Sequence, residues 1–168
     1  MSDLDQATLI NLMSYDPVTG LFKWKKRRRG VSTSKALGTD NGYGYLRITV
    51  LGVSRYAHRL AWLYVYGEMP VNEIDHINGI KSDNRICNLR PATPGQNKQN
   101  MRRAQSNSKS GYLGVSWHKK AKKWQAHISV NRQHIYLGLH DDIDSAYASV
   151  LKAKETHHPF SSNNFFNV

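Results

Sequence analysis

Cysteine is almost missing from this 168-residue chain: Cys87 is the only one. No intrachain disulfide and no cysteine-based zinc centre can form, and a lone thiol of this kind reads as a small buried apolar residue. Long apolar runs are also missing, so nothing approaches a membrane span, and the opening MSDLDQATLINLM lacks the basic start of a secretory leader. These absences place the expected location in a reducing compartment, the cytoplasm, with no membrane as partner. Acid is scarce as well. Twelve Asp and Glu face 24 Lys and Arg, giving a formal charge of +12. From Lys98 to His140 there are nine Lys and Arg and no acidic residue. Such a balance fits either a solvated basic surface or a polyanionic partner, whose condensed counterions would be released on binding.

What is present alternates between helical and strand periodicity, an α+β pattern. Leu4, Thr8, Leu9, Leu12 and Met13 recur at helical spacing, with Ser2 or Asp3 as N-cap. Asp16-Pro17-Val18-Thr19-Gly20 has turn chemistry, and Leu21 to Trp24 alternates like a strand. The basic run Lys25, Lys26, Arg27, Arg28, Arg29 follows; it reads as a loop able to clamp phosphate. Tyr43 to Val50 and Val53 to Tyr56 form an expected hairpin around Leu51-Gly52. From Ala57 the period becomes helical until Gly67, with Pro70 beyond; His58 at its start reads as a structural hydrogen-bonder packed among aromatic rings.

The segment EIDHINGIKSDNRICNLRPATPGQNKQN concentrates groups that bind metals or move protons: Asp75, His76, Asn88 and Asn97. Hydrolysis of a phosphodiester needs a base for the attacking water, neutralisation of transition-state charge and a Lewis acid for the leaving oxygen. Histidine titrates near neutrality, and Mg²⁺ prefers hard oxygen donors such as carboxylate and amide carbonyl. Glu73 to Ile77 reads as one strand of a hairpin and Asn78-Gly79 as turn chemistry. Arg85 to Arg90 is the expected return strand, and Thr93-Pro94 starts a helix whose first turn holds Asn97. Regular alternation points the neighbours Asp75 and His76 to opposite faces, so both reach one phosphate only if the strand end is irregular.

This stretch resembles the HNH endonucleases, specifically the phage and intron-encoded homing enzymes. The likeness runs through His58-Arg59-Leu60-Ala61-Trp62, Ile74-Asp75-His76-Ile77-Asn78-Gly79, Asp83-Asn84-Arg85, Asn88-Leu89-Arg90 and Asn97. The resemblance implies a ββα-metal core at about 72–101 within a nuclease region at 1–100. It makes His76 the general base, Asp75 and Asn97 the ligands of one Mg²⁺ (Mn²⁺ substituting, no zinc), and Asn88 the residue that orients His76 and braces the loop. Asn97 departs from the family, which often has histidine there; an amide oxygen still ligates Mg²⁺.

A basic linker at 101–110, carrying Arg102, Arg103 and Lys109, leads to a second module at 111–158 and a tail at 159–168. Three expected strands, Tyr112 to Trp117, Lys123 to Val130 and His134 to Leu139, precede a helix capped by Asp141-Asp142. Alternation turns Val115, Trp124, Ala126, Ile128, Ile135 and Leu137 toward the helix. It leaves Ser116, His118, Lys123, Gln125, His127, His134 and Tyr136 outside, with Lys119, Lys120 and Arg132 at the edges. The module resembles the APETALA2-type DNA-binding domain at Tyr112, Gly114-Val115, Trp124, Ala126, Ile128, Tyr136-Leu137-Gly138 and Ser145-Ala146-Tyr147-Ala148. That resemblance implies a sheet face in the major groove of duplex DNA. Plant members carry arginines where this chain has Leu113, Ser116, His118 and His134, so looser sequence preference is expected. Together the two resemblances imply a site-specific DNA endonuclease, acting as a monomer in a phage-infected bacterial host. It would nick and leave 5′-phosphate and 3′-hydroxyl ends. The alternative is a DNA-binding regulator with a non-catalytic hairpin.

Overall fold

The computed structural model describes residues 4–26, 32–101, 104, 108–130 and 132–161. The fold is α+β, built from small antiparallel sheets and four α-helices among the described residues. Two compact units divide the chain at Thr93/Pro94. Arg27, Arg28, Arg29, Arg102, Arg103 and the expected caps Ser2 and Asp3 lie outside the described residues.

The first unit opens with α1 (Gln6–Leu12), whose cap is Asp5: its carboxylate accepts from the Thr8 amide at 2.7 Å. Met13, which fits the helical period, instead begins strand β1 (Met13–Asp16), paired antiparallel with β2 (Leu21–Trp24). The exchange of period is driven by packing, because Met13 and Tyr15 on β1 share the core with Phe22 and Trp24 on β2. A second sheet holds β3 (Thr39–Asp40), β4 (Leu46–Val50) and β5 (Val53–Tyr56) in that order. Helix α2 (Ala57–Tyr66) follows at once and buries Ala57, His58, Leu60, Ala61 and Leu63. Gly67 ends it in the left-handed region, φ 81°, its amide returning to the Leu63 carbonyl. The third sheet is the hairpin of β6 (Glu73–His76) and β7 (Leu89–Ala92).

One turn of this unit is seated under the hairpin loop. Gly20 has φ +73°, and a Cβ there would lie 2.5 Å from the Arg85 nitrogen and 2.6 Å from the Asn84 carbonyl carbon. The same contact is tied by Tyr15, whose buried hydroxyl donates to the Asn84 carbonyl at 2.7 Å. Gly20→Ala therefore meets both a clash with backbone and a disfavoured φ, so a loss of more than about 1 kcal/mol is expected. A melting temperature lowered by about 4–8 °C is the measurable result; an unchanged transition would show that the loop does not rest on this turn.

The second unit begins with the short helix α3 (Pro94–Gln99). Its sheet is β8 (Val115–His118), β9 (Lys123–Val130) and β10 (Gln133–His140), with β9 in the centre. Helix α4 (Ile143–His157) is capped by Asp142, which accepts from the Ser145 amide at 2.7 Å. Ala146 and Val150 of α4 pack on Val115 and Ala126, with Tyr112, Trp124, Leu137, Ile143 and Tyr147 around them.

Candidate functional site

Asp75 and His76 sit side by side on β6, opposite Arg90 and Leu89 of β7. Both are buried, at 5% and 4% exposure. A buried carboxylate needs a partner, and Asp75 has one across the strand pair: Arg90 Nε and Nη2 each approach its Oδ2 at 3.0 Å. His76 is the last residue of β6, where the chain turns and the Gly79 amide donates to the His76 carbonyl at 2.8 Å, and its ring meets a different set of groups. Its Nε2 lies 3.4 Å from Asn84 Oδ1, and its ring stands 5.1 Å from His58 and 6.0 Å from Tyr45.

Asn84, buried to 2% exposure, faces that ring. Its Nδ2 donates to the Ser82 carbonyl at 3.2 Å, which turns the amide oxygen toward His76. Nε2 of His76 is then the donor, and in the neutral ring the basic lone pair is on Nδ1. Burial pulls the His76 imidazole below the usual histidine value, with the Asn84 bond and the Asp75 charge opposing. The neutral form, the one able to accept a proton, is the form this pocket favours.

His58 contributes a second buried imidazole at 7% exposure. It stacks on Tyr56 at 5.3 Å and touches Tyr45 at 5.5 Å, so packing is its observed role. The hydrogen-bonding role expected from sequence does not hold for Nδ1, which is buried and has no partner among the described residues. Burial first, then His76 and Arg59, push its pKa down to about 3. It therefore presents His76 with an uncharged wall.

The loop between the strands is held by side chains. Asn88 accepts from the Asn78 amide at 2.9 Å and donates to the Asp83 carbonyl at 2.8 Å. Asp83 takes the Asn78 amide group at 2.7 Å and a bidentate Arg85 at 2.8 and 2.6 Å. Arg85, first among the causes, holds the Asp83 carboxyl below the usual range. Asn88 thus braces the loop as expected, but the side chain bonded to His76 is Asn84. The distinction was hidden in sequence, where both asparagines belong to the same polar run; only the loop's path separates them.

The return strand is shorter than expected. Ile86–Asn88 is a 3-10 turn and pairing starts at Leu89. In that turn Asn88 faces in, so Cys87 faces out and is exposed, contrary to the buried apolar role expected for it. Asn97 lies on α3, in the second unit. Lys25 and Lys26, by contrast, are exposed on the first unit.

Among the described residues no group of three or more His, Cys, Asp or Glu is arranged to hold a metal. The carboxylate on β6 is Asp75, held by Arg90, and a carboxylate is a hard oxygen donor of the kind divalent cations accept.

In the second unit the outer sheet face is assembled by register. Ser116 pairs with Gln125, His118 with Lys123 and His127 with Tyr136. His134 bonds Ser129 at 3.0 Å, and its ring is 6.0 Å from His127. Burial, then His134, keeps His127 below the usual histidine value. Arg132, Lys119 and Lys120 are exposed at the edges, as is Lys109 before the sheet. Lys123 pairs with Asp141 at 2.9 Å. A register shift between Tyr136 and Gly138 breaks the simple alternation: beyond it Leu139, not a polar residue, stands opposite Gln125. Trp117, in register with Trp124, remains 47% exposed.

Comparison with known proteins locates the same stretch. Residues 55–99 match the sequence model of the HNH endonuclease family, so this segment carries an HNH endonuclease domain. The chain is also similar to Protein 3.8 of Escherichia phage T7, 35% identical over 79 residues. That alignment covers 46% of this chain and 64% of the phage protein, less than two thirds of its length. No solved structure is significantly similar. No helix among the described residues is long and apolar enough to cross a membrane.

Proposed function

We propose that this protein is a metal-dependent DNA endonuclease of the homing type, which hydrolyses one phosphodiester at a time and leaves 5′-phosphate and 3′-hydroxyl ends. The observation that carries the reading is His76: a buried imidazole, its Nε2 3.4 Å from Asn84 Oδ1, beside a buried carboxylate on the same strand. A structural hairpin has no need of that pair. The family match at 55–99 supports it.

In this reading Nδ1 of His76 takes the proton of the attacking water. His58 and Tyr45 hold the ring and keep bulk water from it. Asn88 and Asp83 hold the loop that carries Asn84. Arg90 fixes the direction of the Asp75 carboxylate. Asp75, with Asn97 as second ligand on the strength of the family resemblance, would hold Mg²⁺, Mn²⁺ substituting. The bound ion supplies charge neutralisation and a Lewis acid for the leaving 3′-oxygen.

Double-stranded DNA is the proposed partner, bound by a monomer within an infected bacterial cell. The three-stranded sheet with one helix supports reading the second unit as an APETALA2-type module that anchors the enzyme. Its outer face offers Ser116, His118, Gln125, His127, His134 and Tyr136, mostly uncharged hydrogen-bonding groups, with Arg132 as an arginine at its edge. Phosphate contacts from Lys25, Lys26, Lys109, Lys119, Lys120 and Lys123 would set position; Arg27, Arg28, Arg29, Arg102 and Arg103 are proposed for the same role from sequence.

Supercoiled plasmid carrying phage DNA, incubated with the protein and Mg²⁺, should accumulate open circles that EDTA prevents. Accumulation of linear product alone would reject nicking. Absence of any EDTA-sensitive product with Mg²⁺ or Mn²⁺, despite tight duplex binding, would favour the regulator reading.

A further inference from the structure

A second basic feature of the first unit lies outside everything assigned above. A pocket of about 440 Å³ opens where β5 meets α2, lined by Ser54, Arg55, Tyr56, Arg59, Leu60 and Met69 among others. Arg55 and Arg59 are four residues apart across the helix start, so both guanidinium groups border one hollow. Neither forms an ion pair among the described residues: the pairs there are Arg85–Asp83, Arg90–Asp75 and Lys123–Asp141. The nearby Asp5 carboxylate is taken up in capping its own helix. The Nε of Arg55 is buried with no hydrogen-bond partner among the described residues. A buried N–H without an acceptor is costly, and an arriving anion would supply one. Tyr56, the N-cap residue of α2, offers no side-chain cap, so the helix start adds its own preference for negative charge.

Two guanidinium forks match the paired oxygens of a phosphate, and the exposed apolar side chain of Met69 suits a sugar ring beside it. The pocket is also linked to the hydrolytic centre. Tyr56, on its wall, stacks on His58 at 5.3 Å, and His58 meets His76 at 5.1 Å.

We propose that this pocket is a phosphate-binding subsite in which Arg55 and Arg59 seat one backbone phosphodiester of the DNA being cut, away from the scissile bond. The assignment rests on the nuclease reading and adds to it a fixed point on the substrate strand. Its consequence is register: a phosphate seated there limits which neighbouring phosphodiester can lie before His76.

The test uses the full chain in EDTA, so that binding is read without cleavage. The affinity for a random-sequence duplex is measured across a series of KCl concentrations. Arg55→Gln/Arg59→Gln should flatten the plot of log K against log salt by about 0.9, the contribution of one phosphate. Arg55→Lys/Arg59→Lys should recover most of that slope, since charge is restored. Arg59→Gln alone, which leaves the Arg55 guanidinium in place, should show a smaller flattening with the melting temperature kept. An unchanged slope in a folded double variant overturns the proposal. So does a double variant that loses stabilisation by inorganic phosphate while its DNA slope stays put, since the pocket would then serve a free anion. Plasmid cleavage by the wild type in Mg²⁺ is scored separately. A chain that shows the arginine-dependent slope but never cuts overturns the nuclease reading and leaves a DNA-phosphate pocket.

Discussion

His76→Ala is expected to slow Mg²⁺-dependent DNA cleavage by about 10²–10⁴-fold, the usual contribution of a positioned general base. Duplex affinity in EDTA should be nearly unchanged. The expectation follows from the isolation of the ring. His76 is buried, its Nε2 is directed to Asn84, and the other imidazole beside it, His58, is forced toward neutrality by burial. The buried Nδ1 of His58 has no partner among the described residues, and its ring is held by packing on Tyr56 and Tyr45. Truncation also leaves a hole between His58, Tyr45 and Asn84, so His76→Gln, closer in volume, serves as the companion variant. Initial nicking rates of both, set beside their melting temperatures, separate chemistry from stability. Folded variants that retain cutting within tenfold would remove His76 from the mechanism.

Arg90→Met is expected to have the largest effect on stability. Asp75 is almost wholly withdrawn from water, and Arg90 meets it with two nitrogens at 3.0 Å. Breaking a buried pair by deleting one partner typically costs about 3–5 kcal/mol, because the remaining charge stays buried. Hydrogen exchange of the β6 amides, which reports on this hairpin alone, should accelerate accordingly. Deleting both charges, Asp75→Leu/Arg90→Met, should recover most of the loss while cutting remains abolished, since the proposed metal carboxylate is gone. If Arg90→Met leaves exchange unaltered, the pair is not buried in solution. If the double variant still cuts, Asp75 is not a ligand.

The two variants bear on different parts of the site, and their legibility in the sequence differs in the same way. His76 stands out by its identity and by its neighbour Asp75, both of which are local. Arg90 does not, because its importance comes from register: it is the residue opposite Asp75 across the hairpin. Asn84 was equally hidden. Asn88 was the more visible asparagine, yet the 3-10 turn at Ile86–Asn88 directs it to the loop backbone and leaves Asn84 for His76. Cys87 shows the same effect in reverse. Its composition suggests burial, and one turn of tighter helix puts it outside.

Strand and helix periods are legible in the sequence where a single face meets a single core, as in β2, β9 and α4. They failed at Met13, which satisfies the period of α1 and also the inner face of β1, and pairing with Trp24 decides for the strand. The bulge at Tyr136–Gly138 likewise has no local signal strong enough to reveal it, and it changes which residues of β10 face outward.

By itself, then, the sequence determined what depends on residue identity and short-range period. That includes the excess of positive charge, the absence of disulfide and of Cys-based zinc chemistry, the α+β alternation, the ends of α2 and the cap of α4, and the candidate pair Asp75-His76. Tertiary structure alone decided which groups surround that pair. Arg90 on the carboxylate comes from the register of the hairpin, Asn84 on the imidazole from the path of its loop, and His58 against the ring and the pocket beyond Tyr56 from the packing of separate elements. The physical reason is that capping, turn chemistry and amphipathic period act over a few residues, whereas burial and the partners it demands exist only once separate elements share one core.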